Sequence, residues 1–212
     1  MAAAIEISPQ RKSAVTFAVM LAAIMQMLDT TIANVALPHM QGSLSATQDQ
    51  LSWVLTSYIV AAAIMTLPVG WLSGRYGRKN VFVISVAGFT VASVLCGVAS
   101  SLNEMVLFRV LQGFFGAALV PLSQATLLDI NRKEDHGKAM SLWAVSVMIG
   151  PILGPTLGGF LTEYYSWRWV FYINLPLGIL AFFIMYTLIP DAERVERKFD
   201  KLGFFALSIF IA

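Results

Sequence analysis

Leu28-Asp29-Thr30-Thr31-Ile32-Ala33-Asn34-Val35-Ala36-Leu37-Pro38 closes the first long apolar run of the chain and places a carboxylate, Asp29, well inside it. An ionised carboxylate in hydrocarbon costs about 2.5–3.5 kcal/mol on insertion scales and more by other estimates, so a chain keeps one where it faces a cavity or a partner. Low dielectric favours the neutral acid and a nearby cation favours the carboxylate. The protonation of Asp29 is therefore expected to follow its surroundings. Two readings compete: a cap on a helix break made by the neighbouring threonines, or a proton site in a transporter.

The composition speaks for a membrane. Of 212 residues, 58% are apolar and 12% charged, against about a quarter charged in soluble domains. The single Cys96 excludes an intramolecular disulfide framework, and no Cys/His cluster or nucleophile–base spacing points to a metal, a cofactor or an enzyme. The net charge of +2 says little about nucleic acid or acidic partners in a membrane protein, and no nucleic-acid partner is expected. His39 and His136 are expected in solvated loops.

Six apolar runs follow one another, at about 14–37, 51–72, 81–99, 105–128, 139–161 and 169–189, each near the roughly 20 residues a spanning helix needs. The polar start 1–13 resembles the front of a secretory signal, but the run behind it is too long, contains Asp29 and lacks a clear small-residue cleavage site. Basic residues collect at alternating ends: Arg11 and Lys12, then Arg75, Arg78 and Lys79, then Arg132, Lys133 and Lys138, then Arg194, Arg197, Lys198 and Lys201. The opposite loops hold only Arg168. This asymmetry places the N-terminus and the linker 191–201 in the cytoplasm. Tyr164, Tyr165, Trp167, Trp169 and Tyr172 then form an outer aromatic belt. The apolar stretch 202–212 is half a span, and backbone cannot end half-way through lipid, so it is read as the truncated start of a seventh helix.

An internal repeat is legible. Residues 70–82 align without gaps on 159–171, matching Gly70 with Gly159, Leu72 with Leu161, Tyr76 with Tyr165, Val81 with Val170 and Phe82 with Phe171. One copy falls at the cytoplasmic side and the other outside, so two three-helix units are inverted relative to each other, the organisation of secondary transporters. The expected fold is an all-α membrane protein, a six-transmembrane-helix bundle over 14–190.

The polar residues within the spans suggest where the chemistry lies. Arg109 is the second intramembrane charge, and Gln112, Gly113, Gly116 and Ser123 share its broad helix face. Arg109 is expected to pair with ionised Asp29 and to be released when Asp29 is protonated or cation-bound. Gln26 shares the face of Asp29 and is expected to hydrogen-bond its carboxyl. In the fifth run Gly150, Gly154 and Gly158 make a flat ridge at four-residue steps, and Pro151 and Pro155 each remove a backbone donor. Such a helix can rock between two packings. Gly70, Gly74 and Gly77 join Arg75, Arg78 and Lys79 in a tight cytoplasmic loop.

Together these stretches resemble the major facilitator superfamily, and within it the fourteen-helix drug:proton antiporters of the EmrB/QacA type. The 28–38 stretch is similar to that group's helix-one motif and 70–79 to the superfamily's loop motif. Arg109-Val110-Leu111-Gln112-Gly113 is similar to the helix-four motif, 150–159 to the antiporter motif, and Trp167-Arg168-Trp169-Val170-Phe171-Tyr172-Ile173-Asn174-Leu175-Pro176 to helix six. The resemblance implies the N-terminal half of a major facilitator fold with 3+3 inverted repeats. It implies proton coupling by Asp29 and Arg109 and a hinge of Gly150, Pro151, Gly154, Pro155, Gly158 and Gly159. A substrate cavity would involve Gln26, Asn34, Gln112, Gly113 and Ser123, and Gly70, Gly74, Arg75, Gly77, Arg78 and Lys79 would form a cytoplasmic gate loop. Two departures stand out: Gly74 replaces the usual Asp of the loop motif, removing a charge lock, and Phe115 replaces a Gly, so packing there is expected to be rearranged.

The expected function is proton-coupled multidrug efflux by alternating access in the inner membrane, with small hydrophobic or amphipathic substrates. A missing C-terminal half, and in double-membrane cells a periplasmic adaptor and an outer-membrane channel, are the implied partners. The rival readings are export of another molecule, such as a siderophore or metabolite, and a non-transporting scaffold or sensor.

Overall fold

The computed structural model describes residues 8–190 and 199–211, and every regular element among them is helical. Most of the 1–13 start and of the 191–201 linker therefore lies outside the described residues. Helix α1 spans Pro9–Met40, where the Ser8 side chain accepts a hydrogen bond from the Arg11 backbone N–H and Pro9 occupies the first turn, both favoured helix starters. The helix thus begins earlier than the apolar run at residue 14. Arg11 is held within it because its Nε donates to Leu188 O at 2.8 Å, capping a carbonyl at the end of another helix.

Prolines divide the later spans. Helices α2 (Gln48–Thr66) and α3 (Val69–Tyr76) meet at a 54° bend, where Pro68 offers no N–H to Ile64 and its ring crowds that turn. Gly77 links α3 to α4 (Arg78–Val98) with φ 88°, a conformation that favours glycine. Helices α5 (Leu102–Gly116) and α6 (Leu119–Ile130) form one span with a break just before Pro121. Helix α7 (His136–Tyr164) continues through Pro151 and Pro155, whose side of the helix is exposed. Helices α8 (Trp169–Tyr172) and α9 (Asn174–Leu188) form the last span, broken just before Pro176. A short apolar helix, α10 (Lys201–Ile211), packs on α2.

Five segments are long and apolar enough to cross a membrane, and the bent α2–α3 pair supplies the sixth. Their packing carries the repeat. Exchanging spans one to three with spans four to six turns the α1–α7 seam into the α5–α2 seam, turns α4–α5 into α9–α1, and leaves α4–α9 in place. All five are major contacts of the fold. An odd number of crossings per unit makes the second unit run in the opposite sense, so the two are inverted.

The seams are built on glycine. Gly150, Gly154 and Gly158 of α7 lie directly against Met27, Thr31 and Ile32 of α1, and Thr31 Oγ1 donates to Gly150 O at 3.1 Å. Gly159 faces open space, so the ridge excludes it. Phe115 seats its ring where a methyl on Gly88 of α4 would collide, which is how the helix pair accommodates a large residue at that position.

Three expectations need correction. His39 lies in the last turn of α1 rather than in a loop. His136 opens α7, and its Nε2 lies 3.0 Å from Leu128 O and 3.2 Å from Asn131 O, tying the end of α6 to the start of α7. Trp167 is buried and donates from Nε1 to Ser43 Oγ at 2.8 Å. It ties the loop after α7 to the loop after α1 rather than joining the belt, because its partner is protein.

Candidate functional site: a buried carboxylate shared by three spans

Asp29 is fully buried, and so are Arg109, Gln112, Asn174 and Ser93 around it. Each reaches the centre from a different place in the chain. Asp29 sits midway along α1, Arg109 and Gln112 lie one turn apart on α5, Ser93 projects from α4, and Asn174 opens α9. Arg109 Nη1 donates to Asp29 Oδ2 at 2.6 Å, and Gln112 Nε2 and Asn174 Nδ2 donate to Oδ1 at 2.8 and 3.1 Å. The carboxylate thus accepts from three donors on two other spans.

Arg109 is held through Nη1 and Nε, while its buried Nη2 has no hydrogen-bond partner among the described residues. Its Nη1 also donates to Gln112 Oε1 at 2.8 Å and its Nε to Val54 O of α2 at 3.0 Å. Its guanidinium lies 4.1 Å from the centroid of the Tyr58 ring, a cation–π contact in a desolvated place. Gln112 Oε1 further accepts from the Cys96 thiol at 3.4 Å. Arginine suits such a place because its planar fork serves several acceptors at once.

The structure brings together some of the expected residues and separates others. Asp29, Arg109 and Gln112 meet. Gln26 turns away from the carboxyl, and its Oε1 accepts from Val120 N–H at 3.2 Å. The break before Pro121 deprives that N–H of an intrahelical partner, and a buried donor without a partner is costly. Asn34 is exposed and donates to Thr30 O at 2.7 Å. Gly113 packs beneath Tyr58 and Ala61 of α2, and Ser123 accepts from Trp143 Nε1 at 2.9 Å, away from the carboxylate. Sequence reasoning assigned no role to Asn174 or Ser93, although a lone Asn in the apolar sixth run was a signal.

At the junction of α3 and α4 Arg78 forms an ion pair with Asp129 at the end of α6 and donates to Ala125 O at 3.3 Å. The carboxylate absent at position 74 thus has a counterpart on another span. Arg75 lies 5.5 Å from the Trp71 ring centroid and 5.8 Å from that of Tyr76. Gly70 has open space at its Cα, and Lys79 lines a shallow recess with Arg78, Thr126, Asp129, Ile130, Ile189 and Pro190.

A buried ion pair joining inverted three-span units is accompanied by a family match: the family described as Major Facilitator Superfamily covers residues 19–210. The chain belongs to the major facilitator superfamily. It is 42% identical over 198 residues to the multidrug export protein EmrB of Escherichia coli, covering 92% of this chain and 39% of that protein. Its identity to EmrB of Haemophilus influenzae is 41% over 190 residues, covering 89% and 37%. To a putative multidrug resistance protein MdtD of Yersinia enterocolitica it is 43% over 188 residues, covering 89% and 40%. The chain spans about two fifths of the length of these relatives. Among solved structures, the inward-open xylose transporter XylE of Escherichia coli shares the superfamily fold, with TM-score 0.76 at 16% identity over 94% of this chain and 55% of that one. A bacterial homologue of the human lysosomal transporter Spinster matches with TM-score 0.71 at 21% identity, over 93% and 47%.

Proposed function

We propose that these residues form the first six-span bundle of a multidrug exporter of the inner membrane. It exchanges outward-moving hydrophobic or amphipathic substrates for inward-moving protons. The observation that carries this reading is that one buried carboxylate, Asp29, draws its partners from α5 and α9. A proton on Asp29 removes its charge and with it the tie to Arg109, which keeps Gln112, Val54 O and the Tyr58 face. The spans then have different preferred packings with and without the proton. A ligand moves a conformational equilibrium only by such differential affinity. The glycine seam between α1 and α7 supplies a surface along which α1 can shift, and rocking against a second bundle completes alternating access.

The names of the EmrB and MdtD relatives support drugs as the cargo, and the basic loops support an N-terminus in the cytoplasm. In a double-membrane cell the reading extends to a periplasmic adaptor and an outer-membrane channel. The test uses the full-length transporter in everted vesicles, with ethidium movement followed by fluorescence while the proton gradient is imposed or collapsed. Gradient-dependent ethidium transport that disappears in Asp29→Asn is the expected result. Transport that survives this substitution, or that ignores the gradient, overturns the reading.

A further inference from the structure

The helix-six stretch contributes a side chain to the buried network that the mechanism above does not use. We propose that Asn174 is a positioning residue for proton coupling: its amide, anchored by Ser93, is a fixed donor that sets the pH at which Asp29 takes up its proton. This rests on the proton-exchange reading of Asp29.

The hydrogen-bond chain runs one way. Ser93 Oγ donates to Phe171 O at 2.9 Å, so its oxygen is left to accept. Asn174 Nδ2 fills that place at 2.9 Å and also donates to Asp29 Oδ1 at 3.1 Å. A carboxylate only accepts, so both neighbours of the amide demand its nitrogen. That settles which way the side chain points. The amide oxygen Oδ1 is buried and has no partner among the described residues. The fold leaves that acceptor unsatisfied in order to aim two N–H groups, although buried polar groups are as a rule paired. Asn174 stands at the first position of α9, immediately after the break in the last span.

A donor to the ionised form favours that form. Arg109 and Gln112 also donate to Asp29, but Arg109 lies on the other oxygen, so among the described residues Oδ1 is held by Asn174 and Gln112. The titratable groups facing Asp29 are Arg109 from α5, Tyr58 from α2 and Cys96 from α4. Helices α6 and α7 carry their charged residues only near their ends, and α9 carries none. Among the described residues Asn174 hydrogen-bonds to Asp29 and Ser93 and to none of these three groups, so its removal acts on the carboxylate directly.

The test uses the full-length transporter in nanodiscs. Protonation of the buried acid is followed by its infrared carbonyl band, assigned by its absence in Asp29→Asn. Asn174→Leu is expected to move the midpoint upward by about one pH unit, a tenfold change in proton affinity, as expected for loss of one hydrogen bond to a charged group. Ser93→Ala, a smaller change that preserves the core, is expected to move it in the same direction by less. The double variant is expected to match Asn174→Leu alone, since Ser93 acts through the amide. The pH profile of ethidium transport should shift with the band. Midpoints that coincide with the unsubstituted protein in both single variants overturn the proposal, as does a Ser93→Ala effect fully additive to that of Asn174→Leu. If ethidium is not moved but the band still shifts, the proposal stands and the cargo reading falls. If Asp29→Asn removes no band at any pH, both fall.

Discussion

Arg109 and Asp29 show how a fully buried pair is costly to halve. Separating two such charges from water is repaid only when geometry is good and the neighbouring groups find partners; here Gln112 and Val54 O accept from Arg109 and Asn174 donates to Asp29, while Arg109 Nη2 has no hydrogen-bond partner among the described residues. Arg109→Leu leaves Asp29 without its counter-charge. A loss of about 3 kcal/mol is expected in reversible unfolding of the full-length protein in bicelles. Combined with Asp29→Asn, the loss should be smaller than the sum of the two single losses, because the second change removes the stranded charge. Arg109→Lys is no rescue: an ammonium lacks the planar fork that reaches Asp29, Gln112 and Val54 O together. Gln26→Leu is expected to cost about 1–2 kcal/mol in the same measurement through the stranded Val120 N–H, a quite different mechanism from the one its sequence position suggested.

Helix α7 acts as an element through one narrow face. A methyl at Gly150 would lie 2.6 Å from Met27 Cβ and 2.7 Å from its carbonyl carbon, and backbone cannot step aside as a flexible side chain does. Gly150→Ala is therefore expected to lower stability by about 1–3 kcal/mol, the usual cost of overpacking. Gly159→Ala, with nothing within 4 Å, should stay within about 0.5 kcal/mol. Paired thermal unfolding curves check both, and equal effects at the two positions would refute the seam as described. The prolines behave differently from what their number suggests. Pro151 and Pro155 leave α7 continuous, whereas Pro68, Pro121 and Pro176 stand at breaks in three other spans. The breaks before Pro121 and Pro176 deliver Val120 N–H to Gln26 and Asn174 to Asp29.

At the scale of the whole molecule, the exchange symmetry of the helix contacts and the alternation of basic loops describe one topology. Exposed Asn103, in the first turn of α5, and exposed Lys133, just before α7, should lie on opposite sides of the membrane. In intact cells an impermeant thiol reagent is expected to modify Asn103→Cys readily, and Lys133→Cys only after permeabilisation. The buried Cys96 should contribute little background. The reverse pattern would invert the topology. The exposed apolar flank of α7, including Val145, Met148 and Ile152, is suited to lipid or to a second bundle rather than to water.

The number of spans, their alternating charge and the repeat were legible in the chain because hydrocarbon imposes its requirements locally: each crossing must be about 20 residues long and apolar, and each loop carries its own charge. Asp29 and Arg109 were legible for the same reason, since a charge inside an apolar run stands out without any knowledge of the fold. Their meeting was an inference from depth along two helices. Only the tertiary structure decided that Asn174 and Ser93 belong with them, that Gln26 and Ser123 do not, and that Asp129 answers Arg78. Those outcomes depend on rotation of each helix about its axis and on where a proline break leaves a backbone donor to a side chain. Packing of small residues across seams determines both, and neither is written in the hydropathy of any single span.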